Sequence, residues 1–114
     1  MKKIYDSEYD ILVIKIENHY DFGKTIEMEE GVLLDFDKNN IPVAIEILDA
    51  SKRFNVPRYS LKNIPEFNMK IQVNDEVIKV YIELAVIIHN KKLSETWNGL
   101  TGNNEHIPVI EVTA

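Results

Sequence analysis

The chain of 114 residues contains no cysteine, and it has only one tryptophan, four glycines and four prolines. Without cysteine, a disulfide framework, a thiolate metal site and a cysteine nucleophile are all excluded. No stretch approaches the roughly 18 consecutive apolar residues that a membrane-spanning helix needs. The first ten residues turn acidic instead of entering an apolar run, which is not the pattern of a secretory signal. We therefore expect a cytoplasmic protein without membrane contact.

Basic residues are also few. The chain has 13 lysines and arginines against 19 aspartates and glutamates, for a formal net charge of −6. Nucleic-acid binding requires a basic surface that displaces counterions from phosphates, so we expect no nucleic-acid partner. Residues 1–54 carry seven basic and twelve acidic side chains, whereas residues 55–114 carry six and seven. A basic protein partner would favour the first half, where Glu27, Glu29 and Glu30 are the candidate contacts.

Alternation of apolar and polar residues with period two predicts half-buried antiparallel strands in the first half. The predicted strands cover residues 11–17 and 25–29, followed by two runs with inward positions at Val32, Leu34 and Phe36 and at Val43, Ile45 and Ile47. Glu30 and Gly31 interrupt the alternation, and residues 37–40 are a turn sequence. Asp49 is expected to cap a short helix that runs to Phe54 through its side-chain oxygen.

The second half follows a connector at residues 55–67, which contains two prolines and one predicted helical turn at residues 61–64. The longest alternating run of the chain is next, with apolar residues at every even position from Ile78 to Ile88. An apolar strand face of this length needs a cover, and we expect symmetric dimerisation to supply it. Residues 93–105 read as a polar loop, and residues 107–112 as a last strand, which Pro108 places at a sheet edge.

Two segments of the first half carry a family resemblance. The first has the form YDxExDxLxI, with Tyr5, Asp6, Glu8, Asp10, Leu12 and Ile14, and the second has Gly31, Asp35 and Asp37 followed by IEILDASKR at residues 45–53. These motifs resemble the uncharacterised family known as domain of unknown function 2283. The resemblance implies a small β-rich unit with a short helix. It also implies an antitoxin role, because some members of that family are encoded beside small toxin-like proteins.

The turn after the third predicted strand has the spacing of a calcium loop. Asp35, Asp37, Asn39 and Glu46 occupy the first, third, fifth and twelfth positions, and only the glycine at the sixth position is missing. Such loops are normally flanked by helices, whereas both flanks here alternate like strands. We therefore expect a plain hairpin turn at this position, with an ion site as the alternative.

Three other groups have both a functional and a structural interpretation. Asp6, Glu8 and Asp10 could pair carboxylates for acid–base work, but the segment is also a good turn sequence. The three histidines lie far apart and lack metal-ligand spacing. Trp97 is either an anchor for a partner protein or a lid that folds back over one end of the sheet.

These patterns predict an α+β fold: a mostly antiparallel β-sheet, built as a meander of hairpins, with one or two short helices. Residues 1–54 form the family-like unit, residues 55–67 the connector, and residues 68–114 a second hairpin-rich half, packed with the first as one compact domain. The leading hypothesis is a small, non-catalytic protein-interaction module without a cofactor. The alternative is a protein that binds a divalent metal or small ligand through Asp35, Asp37 and Glu46.

Overall fold

Nine strands, one α-helix and one 3-10 helix make up the regular structure of residues 1–114 in the computed structural model. The strands are β1 (Lys2–Asp6), β2 (Ile11–Lys15), β3 (Phe22–Glu29), β4 (Val32–Asp37), β5 (Pro42–Leu48), β6 (Glu66–Val73), β7 (Val77–Ile88), β8 (Lys91–Gly102) and β9 (Ile110–Thr113). Helix α1 spans Ala50–Arg53, and the 3-10 helix spans Arg58–Lys62. The prediction of a mostly antiparallel β protein with one or two short helices is confirmed, with almost no helix present. No helix has the length and apolar character needed to traverse a lipid bilayer.

The strands form two antiparallel sheets. Sheet I has the order β1-β2-β5-β4-β3, and sheet II has the order β8-β7-β6-β9. A simple meander was expected, but β5 lies beside β2, and β9 returns to pair with β6. Both differences are pairings between strands distant in sequence. Local alternation does not encode such pairings, because any strand with the same period satisfies it equally well.

One apolar face of each sheet is buried in a shared core of 24 residues. Sheet I contributes Leu12, Ile14, Met28, Val32, Leu34, Phe36, Ile45 and Ile47, and sheet II contributes residues of β6, β7 and β8 together with the nearby Ile107. The two short helices and the residues that follow each of them add Ala50, Phe54, Val56, Leu61 and Ile64. The predicted inward positions of the first half are thus confirmed, because period two assigns every second side chain to the covered face.

The even-numbered face of β7 is also buried, from Ile78 to Val86, with Ile88 half-buried. Sheet I of the same chain covers this face. The apolar face from which dimerisation was predicted is therefore satisfied within one chain, and it gives no reason for a second copy.

The prediction of a polar loop at residues 93–105 is wrong, because most of this segment belongs to β8. His89 and Asn90 both have positive φ, of 51° and 63°, so they reverse the chain within a two-residue turn. Lys91 then faces Ile88, and β8 follows β7 without a register shift for twelve residues. Strand β1 is a second element absent from the prediction, because only one of its side chains, Tyr5, packs against the core.

Two element boundaries also differ from the predictions. The 3-10 helix begins at Arg58, three residues before the predicted turn, where the backbone amide of Ser60 donates to the carbonyl oxygen of Pro57 at 3.0 Å. Strand β9 is at a sheet edge as expected, but it begins at Ile110. The buried side chain of Asn103 bonds both the amide and the carbonyl of Ile107 at 2.8 Å, which holds Ile107 in the loop.

The predicted capping by Asp49 is also wrong. Asp49 precedes α1 with a left-handed backbone (φ 54°, ψ 39°), and its side chain makes no capping hydrogen bond. The first amides of α1 are satisfied by Asp10, which is 40 residues away in sequence: Ala50 N donates to its carbonyl and Ser51 N to its carboxylate. Asp49 is therefore a turn residue.

Replacement of Asp49 by glycine should test this assignment. Glycine adopts the left-handed region without a Cβ penalty, so Asp49→Gly should leave the free energy of unfolding unchanged or raise it by up to about 1 kcal/mol. Asp49→Ala should lower it by about 1 kcal/mol, because alanine pays that penalty. Denaturant unfolding measures both; a clear loss in the glycine variant would show that the carboxylate itself stabilises the helix.

Candidate functional site

Asp10 is the ionisable residue among the buried polar residues, and it is only 1% exposed. It ends the β1–β2 turn with a left-handed backbone, which directs its carboxylate inward to the start of α1. Its Oδ1 accepts from the Tyr5 hydroxyl at 2.6 Å and from the Ser51 amide at 3.0 Å. Its Oδ2 accepts from the Ser51 hydroxyl at 2.6 Å, and the guanidinium Nε of Arg58 lies 3.9 Å away.

These contacts determine the charge state of the cluster. Desolvation alone would raise the pKa of Asp10, but the hydrogen bonds from Ser51 and Tyr5, with the charge of Arg58, lower it below the ordinary value of 3.8. Burial and the adjacent Asp10 carboxylate raise the pKa of the Tyr5 phenol. At neutral pH the site therefore holds an ionised carboxylate and a neutral phenol, with every donor and acceptor engaged. Because the oxygens of this carboxylate already accept hydrogen bonds from its neighbours, it suits a structural role better than that of a general base.

Arg53 ties the other end of α1 to the β3–β4 turn. Its Nε donates to the carbonyl of Leu48 at 2.7 Å, Nη1 pairs with Glu29 at 2.8 Å, and Nη2 donates to the carbonyl of Glu30. A Cβ at Gly31 would lie 2.6 Å from this guanidinium, and Gly31 has a φ of +85°. The positive φ favours glycine at this turn, and a side chain there would also displace the Arg53 guanidinium.

The three predicted partner contacts separate in the structure. Glu27 pairs opposite Leu33 and is exposed on the outer face of sheet I. A register shift follows Glu27, so that Glu29 is opposite the inward-facing Val32 and its carboxylate binds Arg53. Glu30 lies in the turn and is exposed. Only Glu27 therefore belongs to the face of a sheet.

The calcium-like set does not converge on one point. The Oδ1 of Asp37 accepts the amides of Asn39 and Ile41 at 2.8 and 2.9 Å, as in a plain turn. Asp35 accepts the Thr25 hydroxyl at 2.6 Å and is paired with Ala44, while Glu46 is paired with Leu33. No three acidic or histidine side chains in the chain are grouped in a way that could hold a metal ion.

Instead, the register brings members of both predicted sets onto one surface. Across the five strands of sheet I, the directly opposed residues are Ile4, Val13, Glu46, Leu33 and Glu27, in that spatial order. Asp35 lies on the same face, one pair further along β4. This surface, which we call the acidic face, combines carboxylates with apolar side chains over about 19 Å, four strand spacings. The row that contains Asp35 ends in Lys15 and Lys2, so the carboxylates lie at the β3–β5 side of this face and the two lysines at the β1–β2 side. Apart from the buried Ala44, its residues are exposed or half-buried.

Trp97 lies in β8 and is 9% exposed. Its ring covers Gly99, where an added Cβ would overlap the indole. The indole belongs to the shared core and lies at the middle of β8, opposite Ile82, so Trp97 is a core residue of sheet II and does not fold over one end of the sheet. The sequence pattern indicated Asp10 only as a candidate acid–base carboxylate or a turn residue, and it did not single out the buried polar residues Ser51 and Asn103. The only signal for Ser51 was its place in the second family motif.

Replacement of Asp10 should destabilise the fold in a pH-dependent way. In the wild type the donors of Tyr5 and Ser51 face a carboxylate, whereas in Asp10→Asn an amide group takes its place. The variant should therefore have a free energy of unfolding about 2–4 kcal/mol lower than the wild type at pH 7. A carboxylate with a lowered pKa stabilises the fold above its unfolded pKa and loses this effect as the pH falls through the folded value. The difference between variant and wild type should therefore shrink below pH 3.8.

Asp6→Asn is the matched control for this experiment. Asp6 lies at the start of the same turn and accepts two backbone amides from an exposed position, so its loss of charge should cost less than about 0.5 kcal/mol. Thermal and denaturant melts between pH 2 and 7 measure both variants. Equal stability of the two at neutral pH would contradict the role assigned to Asp10.

Comparison with known proteins gives relatives but no established activity. The chain is 32% identical over 105 residues to a protein of Methanosarcina mazei named "Putative hypoxanthine phosphoribosyltransferase", an alignment that covers 92% of this chain and 84% of that protein. It is 37% identical over 90 residues to an uncharacterized protein of Methanocaldococcus jannaschii, which covers 78% and 76% of the two chains. No solved structure matches. Residues 2–51, which include both Asp10 and Ser51, match the family described as "Protein of unknown function (DUF2283)", and the chain belongs to that family.

Proposed function

We propose that this protein is a small, non-catalytic interaction module whose acidic face binds a basic protein segment. The observation that carries the proposal is the register of sheet I, which aligns Glu27 and Glu46 on either side of Leu33, with Asp35 beside them. The first half of the chain also holds most of the excess acid. An open sheet face that combines carboxylates with apolar side chains suits lysine and arginine, whose aliphatic stems cover apolar surface while their charged ends reach carboxylates.

The finer proposal is an antitoxin role. It rests on the family resemblance, and the acidic face supports it because a small basic toxin has the complementary charge. Binding there would leave the Asp10 and Arg53 contacts undisturbed, since neither side chain faces this surface. The partner would thus bind a surface that is already formed in the free protein.

Oligolysine is a suitable probe of the acidic face. The triple variant Glu27→Gln, Asp35→Asn, Glu46→Gln should weaken binding of a deca-lysine peptide by roughly tenfold at low salt, because exposed carboxylates attract cations over about a Debye length. The control variant Asp75→Asn, Glu76→Gln, Glu105→Gln removes the same charge from exposed positions outside sheet I. Isothermal titration at increasing salt measures both. Equal weakening by the two variants would show that net charge, and not the acidic face, governs binding.

The name of the Methanosarcina relative suggests a second function, and it concerns that protein alone. Phosphoribosyl transfer would require groups that hold a diphosphate, commonly backbone amides at a helix start or a glycine-rich loop. Here the first amides of α1 donate to Asp10. Three of the four glycines lie in strands β3 and β8 beside other side chains or backbone, and the fourth, Gly31, has the Arg53 guanidinium against it. These observations support a role other than an enzyme's.

An activity assay tests the second function directly. The purified protein, incubated with hypoxanthine, phosphoribosyl diphosphate and magnesium, should form nucleotide no faster than the mixture without protein. Chromatography of the products with ultraviolet detection measures the rate. Turnover above the background, abolished by heat denaturation of the protein, would overturn the non-catalytic proposal.

A further inference from the structure

The two sheets have four free edges, and three of them are protected against pairing with another strand. Strand β1 is five residues long and carries Lys2, Lys3 and Asp6. Strand β9 has four residues. Strand β3 is interrupted by two register shifts, next to Gly23 and Met28. Short length, charge and irregularity are the usual devices that prevent edge-to-edge association.

The fourth edge, β8, has none of these devices along most of its length. It runs for twelve residues in unbroken register with β7, contains no proline, and is charged only at Lys91, Lys92 and Glu95. Its residues after Glu95 are all uncharged. Strand β3 contacts β8, but no backbone or side-chain group hydrogen-bonds to the main chain on the open side of β8. An unpaired edge of about 40 Å is therefore exposed.

We propose that β8 pairs antiparallel with β8 of a second copy of the chain, about a two-fold axis near Thr96 and Trp97, which are at the middle of the strand. The two four-stranded sheets then become one continuous eight-stranded sheet. This surface lies on sheet II, so the inference goes beyond the proposed function and does not depend on it.

The charges of β8 favour a second copy in this orientation. Antiparallel pairing places the two Lys91–Lys92 pairs at opposite ends of the new ladder, roughly 30 Å apart, and opposite an uncharged half of the partner strand. A parallel arrangement would bring the lysines together, which is unfavourable. Ten or so paired residues supply about as many backbone hydrogen bonds as a typical specific interface contains. Even-numbered side chains from Thr96 to Leu100, all exposed and uncharged, flank the axis without like-charge contacts.

A single lysine at the axis tests this pairing. Thr96 is exposed and faces Glu83 of β7, so Thr96→Lys should leave the fold intact while it places two like charges together in the dimer. The control is Thr113→Lys, which makes the same change at an exposed position on β9, the other edge of sheet II. Circular dichroism of each variant checks that the fold is retained.

Sedimentation equilibrium at up to about 100 µM, where interfaces of micromolar Kd are populated, measures the association. The wild type and Thr113→Lys should have twice the mass of the 13.2 kDa chain, and Thr96→Lys should dissociate at least roughly tenfold more readily. Hydrogen exchange should show concentration-dependent protection within residues 91–102. A monomeric wild type would overturn the proposal, as would a dimer that Thr96→Lys does not weaken or protection confined to another edge. Oligolysine binding reports separately on the acidic face.

Discussion

A buried carboxylate needs partners, and the first half of this protein is organised around that requirement. Removal of an aspartate from water is costly unless hydrogen bonds replace its hydration. Asp10 obtains them from Tyr5 on β1 and from Ser51 in α1. The chain must therefore bring the β1–β2 turn to the end of β5, and this contact orders the start of a helix of only four residues. So short a helix would not form alone, because nucleation is unfavourable.

The Arg53 contacts complete this arrangement at the opposite side of α1. The guanidinium joins Leu48, Glu29 and Glu30, so the β3–β4 turn is held against the same helix. One structural role thus links the two segments that carry the family resemblance. Tyr5 and Asp10 of the first segment contact Ser51 of the second across the fold, and this contact fixes how the chain continues from β5 into α1.

This division between inner polar contacts and an outer acidic face bears on function. Tyr5, Asp10, Ser51 and Arg53 of the family motifs are engaged in contacts that stabilise the scaffold, whereas Asp35 and Glu46 of the second motif lie on the acidic face. The residues available to a partner are exposed carboxylates on the strands that the scaffold aligns. The uncharged edge of β8 lies on the other sheet, in the part of the chain beyond residues 2–51. A protein of this construction presents two separate surfaces with different chemistry.

The sequence alone determined what depends on neighbouring residues. Period-two alternation assigned the inward faces of β2, β4, β5 and β7, because a pleated strand directs every second side chain to the same side. Turn chemistry located the reversals at Gly31 and at Asp37, whose side chain bonds its own turn. The tertiary structure decided which strands are neighbours, that Asp10 and not Asp49 caps α1, and that Glu27 and Glu46 share a face. Each of these is a contact between residues far apart in sequence, and its energy depends on packing and desolvation in the folded chain, which no local pattern contains.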